Sequence, residues 1–323
     1  MLSRFTGAAF SEHNGDVSTL TEFSFLDAQA QALGVPVPPV ERLMLTLDDG
    51  RTLSALRFGE GTPQVTLLHG AGLNAHTWDA TALALGLPAL AIDLPGHGDS
   101  SWRDDLDYSA PAIAPDIAAA LRTWTTVPQV LVGQSLGGLT AARVAAQHPD
   151  LVREVIVVDI TPGIDTSHGP AILREFYAGP TDFASRDDLV ERALAFGMGG
   201  SRANTERGVF LNTRVRADGR VEWKHHLAHL AATTFAAEPA ANANAPVLRA
   251  EGWDDLAAVR APLTLVRAAQ GFVTETDAEE YQRRLPGSQV VVFDAPHNVQ
   301  ETAPRALADL ARTRLSAAVD TSL

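Results

Sequence analysis

Short apolar runs recur along the first half of the chain, each cut off by Gly, Pro or Asp. Gln64-Val65-Thr66-Leu67-Leu68 ends at His69-Gly70, and Ala89 to Ile92 ends at Asp93 and a Pro95-Gly96-His97-Gly98 loop. Val130-Leu131-Val132 ends at Gly133, and Val155 to Val158 ends at Asp159. Residues 76–86, 109–125 and 136–147 lie between these runs and suit helices, the last closed by His148-Pro149. Runs this short, alternating with helices, predict buried parallel strands with helical crossovers. Arg42 to Leu47 and Thr52 to Phe58 flank Asp48-Asp49-Gly50, which predicts an antiparallel hairpin at one edge.

The rhythm stops after Ile160 and resumes at Pro262-Leu263-Thr264-Leu265-Val266. A helix is predicted over 276–284, a strand from Gln289 to Phe293 and a last helix over 304–317. The interruption holds helical stretches and one hairpin-like segment, Thr213 to Trp223, around Asp218-Gly219. It reads as a mainly helical cap, inserted over the C-terminal ends of the strands. The expected organisation is an extension (1–40), a first core part (41–160), a cap (161–260) and a second core part (261–323). Within the extension, Phe25 to Leu33 is a short helical candidate stopped by Gly34 and nearby prolines; no chemistry is expected of it. Ala237 to Ala245 is compositionally plain and reads as a mobile loop.

The candidate chemistry sits where strands end. Gly133-Gln134-Ser135-Leu136-Gly137 fits G-x-S-x-G between a buried strand and a helix. So tight a turn strains the backbone at the serine, and side chains two residues before and after would collide, hence the glycines. Ser135 is the expected nucleophile, and a hydroxyl needs a base. His297, in Ala295-Pro296-His297-Asn298 just after the last strand, is the expected base.

The run His69-Gly70-Ala71-Gly72, the segment Asp93 to Ser100, the elbow at Ser135 and the late His297 together resemble the α/β-hydrolase superfamily. The likeness covers roughly residues 40–160 and 260–318, with Pro296 where the family often has Gly. It implies an α/β fold with a mostly parallel central sheet flanked by helices. It also implies a third residue, a carboxylate that orients the base. Family members usually carry it after the strand corresponding to Leu263–Val266, but Arg267 to Phe272 holds no carboxylate. The candidates are Asp159, as in a small group of esterases, and then Asp277 and Glu275. The resemblance further implies an oxyanion hole made by the N–H groups of Leu136 and Ala71, with Gly72 the alternate. His69, Asp93 and His97 read as loop-ordering groups and Trp78 as core.

Composition narrows the rest. With 25 Lys+Arg against 39 Asp+Glu the formal charge is −14, which disfavours a nucleic-acid partner. No apolar run approaches a bilayer span or a signal core, so no membrane partner is expected. The lack of cysteine excludes disulfides, thiolate catalysis and Cys-ligated metals, and fits a cytoplasmic protein. No cofactor or metal is expected. His225-His226-x-x-His229 lacks an accompanying carboxylate motif and reads as a solvated cap helix, and Gly197 to Gly200 lacks the context of a phosphate loop. Phe176, Phe183, Phe196 and Phe210 either pack the cap or meet an apolar substrate group. The expected activity is hydrolysis of carboxylic esters, or of lactones or thioesters, acting on a small-molecule substrate through an acyl-enzyme. Alternatives are a C–C bond hydrolase, to which Arg267 would contribute, and a non-catalytic ligand-binding protein.

Overall fold

An eight-stranded sheet forms from the apolar runs and the front hairpin. The computed structural model describes residues 20–164, 175–176, 179–197, 199–234 and 252–317. The strands are β1 (Val40–Thr46), β2 (Thr52–Phe58), β3 (Val65–Leu68), β4 (Ala89–Asp93), β5 (Gln129–Gln134), β6 (Val152–Val158), β10 (Leu263–Gln270) and β11 (Gln289–Pro296), counting three short strands, β7 to β9, outside this sheet. Their order is β1-β2-β4-β3-β5-β6-β10-β11. The pairs β1–β2 and β2–β4 are antiparallel and every other pair is parallel.

The helices are α1 (Leu26–Leu33), α2 (Asp79–Leu85), α3 (Ala110–Trp124), α4 (Leu136–Gln147), α5 (Arg186–Ala195), α6 (Arg202–Asn212), α7 (Leu227–Thr234), α8 (Gly252–Ala258), α9 (Glu275–Arg284), α10 (Val299–Thr302) and α11 (Pro304–Ala317). The strand period of two sorts the core into two layers. Leu131, Val155 and Val157 face a layer with Ile117 and Leu121 of α3 and Leu139 and Val144 of α4. Val130, Val132, Ile156 and Val158 face a layer with Leu26 of α1, Leu83 of α2 and Leu307 of α11. Burial on both faces makes these central runs continuously apolar, and each fully buried aliphatic side chain contributes about 1.5–3 kcal/mol.

Two strands run further than the apolar runs. β6 begins at Val152 and β11 continues to Pro296. Glu154 stays in the sheet because Thr264 on β10 donates to its carboxylate. Residues 76–86 divide into a 3₁₀ turn, Ala75–Trp78, and α2.

Between β6 and β10 the chain leaves the sheet. It forms α5, α6, α7 and a small antiparallel sheet of β7 (Asp182–Phe183), β8 (Thr213–Val215) and β9 (Val221–Trp223). The hairpin around Asp218-Gly219 is present, and β7 adds an edge strand unmarked by any alternation. Phe176, Phe183 and Trp223 bury with Leu189 and Val190, with Phe196 packed against them. Phe210 instead meets Phe25 at 5.4 Å. The stretch Ala237 to Ala245 and the first nineteen residues lie outside the described residues. No helix among the described residues is long and apolar enough to cross a membrane.

Candidate active site

Strand β5 runs into α4 with Ser135 alone between them. Ser135 has φ 52° and ψ −120°, outside the conformations an ordinary side chain prefers. From Gln129 to Ala142 it is the only residue that is not buried. A Cβ on Gly133 would strike the carbonyl of Gly137, and one on Gly137 would strike that of Leu68. The glycines therefore allow the backbone crossing that lifts the serine out of the packing. Leu136 opens α4, so its N–H is among those left without an intrahelical acceptor.

Asp159, at the end of β6, shares the left-handed region with φ 50°. The two elements are tied together, since the Ser135 N–H donates to the Val158 carbonyl at 3.0 Å. Asp159 is fully buried, and its carboxylate accepts backbone N–H groups from Ala268 (3.0 Å), Phe272 (2.7 Å) and Val273 (3.4 Å). Oδ2 also accepts from His297 Nδ1 at 2.7 Å. Gly271 makes the cradle possible, because a Cβ there would collide with that carboxylate. The loop after β10, which carries no acid, thus donates to an acid supplied by the neighbouring strand.

His297 lies, as expected, on the short loop after the last strand, between the end of β11 and α10. Its imidazole is stacked on Phe272, with ring centres 3.7 Å apart and planes 16° apart. Gln134, beside the nucleophile, donates to the His297 carbonyl at 3.4 Å. Among the predicted residues, Asp159 and His297 therefore meet directly, and Ser135, at the end of β5, is tied through its N–H to the residue before Asp159. The other candidate acids are engaged elsewhere. Asp277 caps α9 in a reciprocal box with Thr274, and exposed Glu275 pairs with Arg267 at 3.1 Å. That pairing also occupies the arginine considered for a keto-acid.

The loop after β3 is fixed by His69, whose burial pushes its imidazole below the ordinary value and keeps it neutral. Its Nδ1–H donates to the Gly70 carbonyl at 2.8 Å, and its Nε2 accepts from the Leu94 N–H at 3.0 Å. Ala71 follows Gly70, and Asn212 from α6 donates to the Gly72 carbonyl at 2.7 Å. Asp93 accepts from the Ala75 N–H at 2.7 Å and pairs with Arg42 at 2.8 Å, while His97 donates to the Pro95 carbonyl. These three residues order loops, as read from the sequence, and Trp78 is fully buried.

The histidine segment is not a solvated face. His225 is buried, and His226 stacks on Trp102 at 4.2 Å and bonds the Tyr108 hydroxyl at 2.7 Å. The spacing was legible, but not the aromatic loop it packs against. Among the described residues no group of three or more His, Asp or Glu is placed to hold a metal. Phe272, Gly271 and Gln134 were missed; all three act through residues distant in sequence, and no local motif marks them.

Similarity to known proteins agrees with this arrangement. The chain is 38% identical over 307 residues to esterase Rv0045c of Mycobacterium tuberculosis, covering 92% of this chain and 96% of that protein. A solved structure of that esterase superposes with TM-score 0.77, covering 92% of this chain and 99% of the other. The 2-(acetamidomethylene)succinate hydrolase of Mesorhizobium japonicum is 30% identical over 264 residues, 80% of this chain and 90% of that one. A profile of the alpha/beta hydrolase family matches residues 67–310. A strand-to-helix serine, a buried acid–imidazole pair, a parallel sheet and these relatives lead to one assignment: the chain belongs to the alpha/beta hydrolase family.

Proposed function

We propose that this hydrolase cleaves carboxylic esters through an acyl-enzyme on Ser135, with His297 as the general base and Asp159 as its orienting acid. The observation that carries this reading is the 2.7 Å bond from His297 Nδ1 to a fully buried Asp159, beside a serine held at positive φ. That bond fixes the tautomer and leaves Nε2 for the hydroxyl. Ser135 Oγ attacks the carbonyl carbon as its proton passes to His297, and the carbonyl electrons collect on oxygen. The N–H groups of Leu136 and Ala71 receive that charge. The Gly70 carbonyl is held toward His69, so in the planar trans peptide the Ala71 N–H points the opposite way. Collapse expels the alcohol, which takes the proton from His297. Water then repeats the sequence and releases the acid.

The division into a core and a cap over 161–260 belongs to the same proposal, as does a cytoplasmic setting. The likeness to the mycobacterial esterase supports ester substrates. A p-nitrophenyl acetate assay tests the reading: an early burst of nitrophenol is expected from the native chain, and none from Ser135→Ala. An intact burst in that variant overturns the assignment. A panel of esters, lactones, thioesters and acidic amides then ranks substrate classes.

A further inference from the structure

We propose that Phe272 is a positioning residue for the base, fixing the plane of the His297 imidazole. The inference rests on the triad reading above. One hydrogen bond, from His297 Nδ1 to Asp159, sets a single direction and leaves the ring free to turn about it. The stacked Phe272 ring, at 3.7 Å and 16°, removes that rotation. The direction of Nε2 is then set by two constraints, one polar and one apolar.

The same residue is tied to the acid. The Phe272 N–H donates to Asp159 Oδ2, the oxygen that accepts from His297, both at 2.7 Å. Main chain and ring of one residue thus refer acid and base to each other. Gly271 before it lets the backbone close on the carboxylate. The charged group bonded to the imidazole is Asp159 from β6. Gln134 from β5 donates to the His297 carbonyl and to the Asn298 side chain, and both amides are neutral.

Each half-reaction makes an imidazolium, and the negative face of an aromatic ring attracts a cation stacked on it. A ring also covers the imidazole from water, which works against charge. Phe272→Leu keeps apolar cover while removing the aromatic face, so comparing the two isolates the ring's own effect. Phe272→Trp restores a face.

The test measures kcat and KM on a nitrophenyl ester for the native chain, Phe272→Leu and Phe272→Trp. In the leucine variant kcat is expected to fall about tenfold with KM within about twofold. The tryptophan variant should keep a kcat near native. A leucine variant with native kcat, or whose loss lies wholly in KM, overturns the proposal. Should the leucine variant not fold, the native chain itself decides. In selectively labelled protein, the His297 ring protons, identified by their loss in His297→Gln, must show an upfield ring-current shift; ordinary shifts overturn the stack. Covalent labelling of Ser135 by a fluorophosphonate separates the two claims. No labelling of the native chain sinks the triad, while normal labelling with unchanged Phe272→Leu kinetics sinks the positioning role alone.

Discussion

A carboxylate that must hold an imidazole needs a fixed place and no competing cation. Asp159 has both, being fully buried with backbone N–H donors and His297 as its partners. Asp159→Asn keeps the shape but removes the charge and favours the wrong tautomer, so kcat should fall about 10³–10⁴-fold with little change in KM. Asp277→Asn is the control. It weakens the start of α9 at a cost of about 1 kcal/mol, seen as a lower Tm, and should leave kcat near native. The reverse pattern would move the acid. Ser135 was legible because local sterics demand glycines around it. Asp159 was legible only as the carboxylate ending an apolar strand. The Phe272 ring was invisible, since its partner lies 25 positions on, at the end of another strand.

At the scale of elements, the N-terminal segment does more than the sequence led one to expect. Glu22, just ahead of α1, pairs with Arg42 on β1 and with His76 in the 3₁₀ turn before α2. Burial of His76 opposes its charge, but the carboxylates of Asp79 and Glu22 overcome this and hold its pKa at about 9. Glu22 is likewise desolvated, yet His76 and Arg42 hold it at about 2. A histidine raised from 6.5 stabilises the fold fully below pH 6.5 and loses that contribution as pH rises through 9, on the order of 3 kcal/mol in all. Thermal melts of the native chain should therefore fall between pH 6.5 and 10, with a flatter dependence in His76→Gln. Equal slopes would show that the pair contributes nothing. Helix α4 matched its expected bounds because a strained turn and His148-Pro149 punctuate it. The ends of β6 and β11 did not, because sheet pairing carries polar residues that periodicity excludes.

Across the whole molecule, the α6–β9 region is fastened to the sheet by polar contacts around the loop after β3. Asn212 donates to the Gly72 carbonyl, and Asn74 donates back to the Asn212 side chain at 3.2 Å. Arg207 pairs with buried Asp79 at 2.9 Å, and Lys224 with Asp99 at 2.9 Å. Asn212→Ala should free the Gly72 carbonyl, lower kcat about tenfold and reduce stability by about 1–3 kcal/mol. Native kcat with a lowered Tm would confine Asn212 to a structural part. The central strands were readable because burial on both faces writes itself into composition; these fasteners were not, because single asparagines carry no period. Strand order has one more consequence. The proposed nucleophile and acid travel on one contiguous stretch, β5 to the end of β6, while the imidazole arrives just after β11, an edge strand whose one neighbour among the described residues is β10. On the proposed triad, catalysis requires β11 in place, so turnover would gauge whether the last strand has docked.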